Sequence, residues 1–146
     1  MTKPIFVLNG PNLNLLGQRE PDIYGSGTLD ALRLALGRHA AKRDVTIEFR
    51  QSNLEGVLVD WLQEAMHSAS AVIINAAGYS HSSVAIRDAV AALAIPVVEV
   101  HLSNIHAREP FRHHSLVAEA AAGSISGFGA HGYLLALDAV LELVSA

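Results

Sequence analysis

The stretch VEVHLSNIHAREPFRHHS, residues 98–115, concentrates groups that move protons and hold anions. It carries His101, His106, His113 and His114, half of the eight histidines in the chain, with Arg108 and Arg112 among them. Glu99 stands two residues before the first of these histidines. Three chemistries suit such a set: a metal centre, a basic surface, or an acid–base site for an anion. Side chains alternate along a strand, so Glu99 and His101 share one face if this segment is extended. A carboxylate beside an imidazole sets its tautomer and favours the protonated ring, which suits a general acid. The plain alternative is a structural pair, because a buried carboxylate needs a partner in any case.

A second candidate pair is Arg19 and Tyr24, in the segment NGPNLNLLGQREPDIYGSG (9–27). An ordinary phenol is ionised about once in a thousand at neutral pH. A guanidinium about 4 Å away stabilises a phenolate by roughly 4 kcal/mol at an effective dielectric of about 20. A drop of two pKa units needs only about 2.7 kcal/mol. One arginine is therefore enough to make a tyrosine a usable base, or else both residues simply decorate a long loop.

Other chemistries fail on inventory. The chain has no cysteine, so thiolate ligands, disulfides and a Cys nucleophile are excluded. It has no His-Glu-x-x-His and no carboxylate-rich loop, and the adjacent His113 and His114 cannot easily turn to one ion. His39, His67 and His113 are expected on a solvated face. Gly-x-Ser-x-Gly is absent. Lys3 and Lys42 are the only lysines, and both fall at the wrong end of the sheet for a Schiff base. GFGAHG (127–132) matches Gly-x-Gly-x-x-Gly, but no strand or ribose-binding acid follows, so it reads as a tight strand-to-helix turn.

The elements that would position these groups alternate. A buried strand is expected at 4–9, an alternating one at 45–50, further strands at 71–75 and 95–102, and a weaker one at 123–127. Helices are expected at 28–43, at 53–67 with Asn53 as cap and Leu58, Trp61, Leu62 and Ala65 buried, at 83–93, and at 133–144. The order β-α-β-α-β-α-β-α-β-α predicts a three-layer α/β sandwich, a five-stranded parallel sheet in the flavodoxin-like order 2-1-3-4-5. Ligands of such sheets bind beyond the carboxyl ends of the strands, at the switch of strand order. Strand one runs there into Asn9, Asn12 and Asn14, strand three into Asn75 and His81, and strand four into His101 and Ser103. The 9–27 segment is too long for a simple connection and is expected to arch over them as a lid.

At 146 residues the chain reads as a single domain, and 51% hydrophobic against 16% charged residues is apolar enough to suggest an oligomer. A net charge of −4 argues against nucleic acid, so an anionic ligand needs its own positive cluster. No signal peptide and no membrane-length apolar run is visible, which makes a cytoplasmic protein the expectation.

LNGPNLNLLGQREPDIYG, SNLEG, INAAGYSHSSVAIRDAV and VEVHLSNIHAREPFRHHS, in this order and spacing, closely resemble the type II 3-dehydroquinate dehydratases, essentially end to end. The resemblance implies a flavodoxin-like single catalytic domain (1–146) with a lid at about 18–27. It implies a homo-oligomer, usually a dodecamer built as a tetramer of trimers. It also implies anti elimination of water from 3-dehydroquinate through an enolate, with no cofactor and no metal. In that scheme Tyr24 is the base, Arg19 its activator, Asn12 the holder of a water at the enolate oxygen, and His101 the acid oriented by Glu99. Asn75 and the amides of Leu102 and Ser103 take the carboxylate. His81 and Arg112 hold ring hydroxyls, Asp88 reaches in from a neighbouring subunit, and Arg108 helps close the lid. The two rivals are a silent polyol-acid binding module and a metal-dependent enzyme using the histidines. One departure stands out: the family more often has Asn-Pro-Gly where this chain has NAAG (75–78), which puts the geometry of that turn in question.

Overall fold

The computed structural model describes residues 3–24 and 27–145. Two positions of the expected lid, Gly25 and Ser26, lie outside it, as do both chain ends.

Five parallel strands form the sheet: β1 (Ile5–Asn9), β2 (Ile47–Gln51), β3 (Ala71–Asn75), β4 (Val97–His101) and β5 (Gly123–Ser126). Their order is β2-β1-β3-β4-β5, the flavodoxin-like order expected. Every residue of β1, β3 and β4 is buried, because helices cover both faces, and this explains their unbroken apolar runs. The edge strands β2 and β5 are more exposed.

Alternation along the strands sorts the core into two layers. Ile5, Val7, Ile73 and Val98 pack against α2 (Leu29–Lys42) and α6 (His131–Ser145), meeting Leu32, Leu36, Leu137 and Val140. Phe6, Leu8, Val72 and Ile74 face the other way, onto α3 (Glu55–Ser68), α4 (Val84–Ala91) and α5 (Leu116–Ala120). Each fully buried Leu or Ile in these layers contributes about 1.5–3 kcal/mol relative to exposure. The helix α5, for which the sequence pattern offered no range, closes the β4–β5 crossover.

Several local expectations are corrected. Asn53 does not cap α3; the cap position is Leu54, with no side-chain bond. The Asn53 oxygen instead accepts from the Asn12 amide and from Gln51 Nε2, tying the β2–α3 turn to the β1 loop. Trp61 is only half-buried, its ring lying beneath the Arg50 guanidinium. His39 is not simply solvated: its Nε2 lies 2.8 Å from Asp138. The 9–27 segment is not structureless either. Leu13–Leu15 make a 3-10 turn, α1 (Pro21–Tyr24) is a single helical turn, and Leu13 and Leu16 are buried beneath it. GFGAHG is the tight turn expected, with Gly127 and Gly129 at φ 98° and 59°.

Candidate active site

The polar ends of β1, β3 and β4 meet at one cavity of about 140 Å³. At roughly 30 Å³ per water this is the space of about five waters, in scale with a small polar molecule. Its lining includes Asn12, Arg19, Tyr24, Asn75, His81, His101, Leu102, Ser103, Arg108 and Arg112. These are ten of the twelve residues singled out in the sequence. Glu99 lies behind His101 with no surface of its own. Asp88 is elsewhere, exposed on α4 and 3.1 Å from Arg87. An apolar cavity of about 580 Å³ adjoins the first and shares Tyr24, Leu102, Ser103 and Arg108 with it.

The acid candidate is built by β4. The period of two puts Glu99 and His101 on one face, and His101 Nε2 lies 3.1 Å from Glu99 Oε2. The contact is close but off the line of the N–H, and Nε2 is sealed from solvent. This leaves Nδ1 as the ring nitrogen turned from the carboxylate. Glu99 also accepts from the hydroxyls of Ser115 and Ser124, the latter at 2.7 Å. Burial alone would push its carboxyl up. The close approach and charge of the His101 imidazole, together with the hydroxyls of the two serines, outweigh that and hold it below the ordinary value.

The base candidate sits at the end of α1, in the segment after β1. Tyr24 has two guanidiniums at its ring, Arg19 at 4.9 Å and Arg108 at 5.0 Å from the centroid. Arg108 is held in place by its bond to Ser103 Oγ at 3.3 Å.

His81 stacks beside His101, with ring centroids 6.1 Å apart. Its Nδ1 donates to the His114 carbonyl at 2.9 Å, which leaves Nε2 as an acceptor. Burial, reinforced by His101 and Arg112, depresses its pKa, against the bond to the His114 carbonyl, which raises it. His106, His113 and His114 are exposed, outside the cavity. Among the described residues, no three of His, Cys, Asp and Glu come together as a metal could require.

The model of the family described as Dehydroquinase class II matches residues 3–141. The chain belongs to this family. It is 58% identical over 146 residues to a 3-dehydroquinate dehydratase of Caulobacter vibrioides, with all of both chains covered. It is 61% identical over 143 residues to the enzyme of that name from Brucella canis, covering 98% of this chain and 91% of the relative. Among solved structures it resembles the type II dehydroquinase of Propionibacterium acnes, with a TM-score of 0.92 and 44% identity, covering 100% of this chain and 99% of the other. The type II dehydroquinase of Butyrivibrio crossotus gives a TM-score of 0.93 at 40% identity, covering 95% and 97%.

In this chain the NAAG departure has a visible consequence. Ala76 has φ −76°, close to what a proline would impose, so its turn is kept without the ring. Ala77 takes φ 52°, the left-handed region. There a Cβ costs about 1–2 kcal/mol, partly offset by the bond from its amide to Asn75 Oδ1 at 3.1 Å.

The residues missed in the sequence are the supports: Ser115, Ser124 and Tyr133. Ser124 pairs directly with Glu99 in the β4–β5 register, a signal that needs the alignment of two strands. Ser115 caps α5 with the same oxygen that donates to Glu99, so the helix start and the site share one atom.

This buried carboxylate gives a pH-dependent expectation. Because its folded pKa lies below the ordinary value, ionised Glu99 contributes stability that is complete above about pH 4.5 and is lost as pH falls through the folded value. Glu99→Gln is expected to cost about 1–3 kcal/mol at pH 7. That difference from the native chain should shrink in acid, as read by denaturant unfolding at pH 7 and pH 3.5. A difference independent of pH would contradict an ionised Glu99.

Proposed function

We propose that this chain dehydrates 3-dehydroquinate to 3-dehydroshikimate by anti elimination through an enolate, without cofactor. The step would serve the shikimate pathway or quinate breakdown. The observation that carries the reading is the convergence on one small cavity of a tyrosine beside two guanidiniums and an imidazole backed by a buried carboxylate. The 3-dehydroquinate dehydratase name of relatives at 58–61% identity supports the substrate.

The C2 protons of 3-dehydroquinate are acidified by the neighbouring ketone. Tyr24, as phenolate, takes one of them, and the negative charge of Arg19-stabilised phenolate passes to the enolate oxygen. A water held by Asn12 donates to that oxygen. The enolate then collapses to form the C1–C2 double bond as the C1–O bond breaks. His101 gives its proton to the departing hydroxyl, so water leaves. Glu99 holds the imidazole and stabilises its charged form.

The substrate carboxylate lies on Asn75 and the backbone amides of Leu102 and Ser103. His81 Nε2 accepts from one ring hydroxyl and Arg112 donates to another. Asp88, exposed on its own subunit, completes the site of a neighbour, which requires a homo-oligomer; a dodecamer of four trimers satisfies this. Residues 18–27 act as the lid of one catalytic domain spanning the chain, with Arg108 helping to close it. No helix among the described residues is long and apolar enough to cross a membrane, and a cytoplasmic location suits the reading.

The test is stereochemical. With 3-dehydroquinate deuterated at one or the other C2 position, only the deuterium anti to the C1 hydroxyl should be lost, with a primary isotope effect. Loss of the syn deuterium would refute the division of labour between Tyr24 and His101.

A further inference from the structure

Helix α6 presents an apolar face to the sheet, through Ala136, Leu137, Val140 and Leu141, with one polar exception at its start. That exception is Tyr133, fully buried, whose hydroxyl reaches the carboxyl ends of β1 and β3. A buried hydroxyl needs partners, and here the partners fix a direction. Asn9 Nδ2 donates to the Arg50 carbonyl at 2.9 Å, so the Asn9 oxygen is the atom turned to Tyr133. Tyr133 must then donate to Asn9 Oδ1, at 2.7 Å. Only its lone pair remains for Asn75, whose Nδ2 donates to it at 3.0 Å. The Asn75 oxygen is engaged at the same time by the Ala77 amide. Asn75 lines the cavity. With its oxygen and one N–H committed, what it can offer a ligand is its second N–H, a donor for an acceptor such as a carboxylate.

We infer that Tyr133 is a positioning residue that sets the polarity of the Asn75 amide, and through it the affinity for the substrate carboxylate. The inference rests on the dehydratase reading above. Burial pushes the Tyr133 hydroxyl above its ordinary value, so it keeps its proton and its donor role throughout the working pH range. Removing the hydroxyl strands the Asn9 oxygen and takes the acceptor from one Asn75 N–H, so the amide that faces the carboxylate is held by the Ala77 N–H alone.

The test is Tyr133→Phe in the full chain, with kinetics on 3-dehydroquinate and calorimetric binding of the same compound in a Tyr24→Phe background. Losing a hydrogen bond to a charged group predicts a KM and Kd raised about tenfold or more, with kcat within about threefold. In an Asn75→Ala background the same substitution should raise KM by less than about twofold, because the two act as one unit. Val140→Ala, a core truncation on the same helix, should lower the unfolding midpoint and leave KM alone, which separates positioning from mere loss of stability. An unchanged KM in Tyr133→Phe, or a full penalty persisting without Asn75, would overturn the inference and leave the dehydratase reading intact. Absence of both turnover and binding in the native chain would overturn the two together.

Discussion

Tyr24→Phe is expected to lower kcat by about 10²–10⁴-fold, the usual share of a positioned base, while the Kd for 3-dehydroquinate stays within about threefold of the native value. The argument rests on what the substitution leaves in place. The ring still fills the same space between the 140 Å³ cavity and its apolar neighbour. Arg19 and Arg108 keep an aromatic face at about 5 Å. The sides of the cavity formed by Asn75, His81 and Arg112 are untouched. Only the oxygen that carries the proton is gone. The variant should also fail to exchange the C2 proton of bound substrate with deuterium from solvent, because no enolate forms. Turnover at the native rate would remove Tyr24 from the mechanism and leave the two arginines as anion ligands only.

His101→Asn should produce a kcat loss of the same order, about 10²–10⁴-fold, but with a different signature. Without the acid, hydroxide is a poor leaving group, while the enolate still forms at the other side of the ring. Exchange of the C2 proton should therefore continue in this variant, decoupled from elimination. Breaking the pairing with the fully buried Glu99 also has a structural cost. Removing one member of a buried pair destabilises by up to about 3–5 kcal/mol, here reduced because Ser115 and Ser124 still donate to the carboxylate. Circular dichroism and an unfolding curve would establish that the variant is folded before its rate is read. Native elimination rates would show that the proton reaches the leaving hydroxyl by another route.

Much of this arrangement was legible in the chain because its cause is local. The strands β1, β3 and β4 announce themselves as apolar runs, since both faces of a parallel sheet are covered. The Glu99–His101 pair follows from the period of a strand, and its place at the carboxyl end follows from the strand-order switch. What escaped the reading depends on pieces far apart in sequence. Ser124 meets Glu99 through the β4–β5 register, and Tyr133 meets Asn9 and Asn75 only once α6 lies across the sheet. Arg108 joins Arg19 at Tyr24 only once the segment after β1 meets the one after β4. Asn53 misled for the opposite reason: its type suits a helix cap, but the Asn12 amide, held at φ 69°, competes for the same oxygen and wins. The 9–27 segment looked structureless because its helical turns are short, and Leu13 and Leu16 are buried without any long periodic pattern.

The most direct measurement follows the ultraviolet absorbance of the conjugated product when the purified, EDTA-treated protein is mixed with 3-dehydroquinate. A steady rise that scales with protein concentration and survives the chelator is the result predicted. No rise from protein shown to be folded would contradict the dehydratase reading; binding of the compound without product would then leave a silent polyol-acid site, with attention on the strained Ala77 turn.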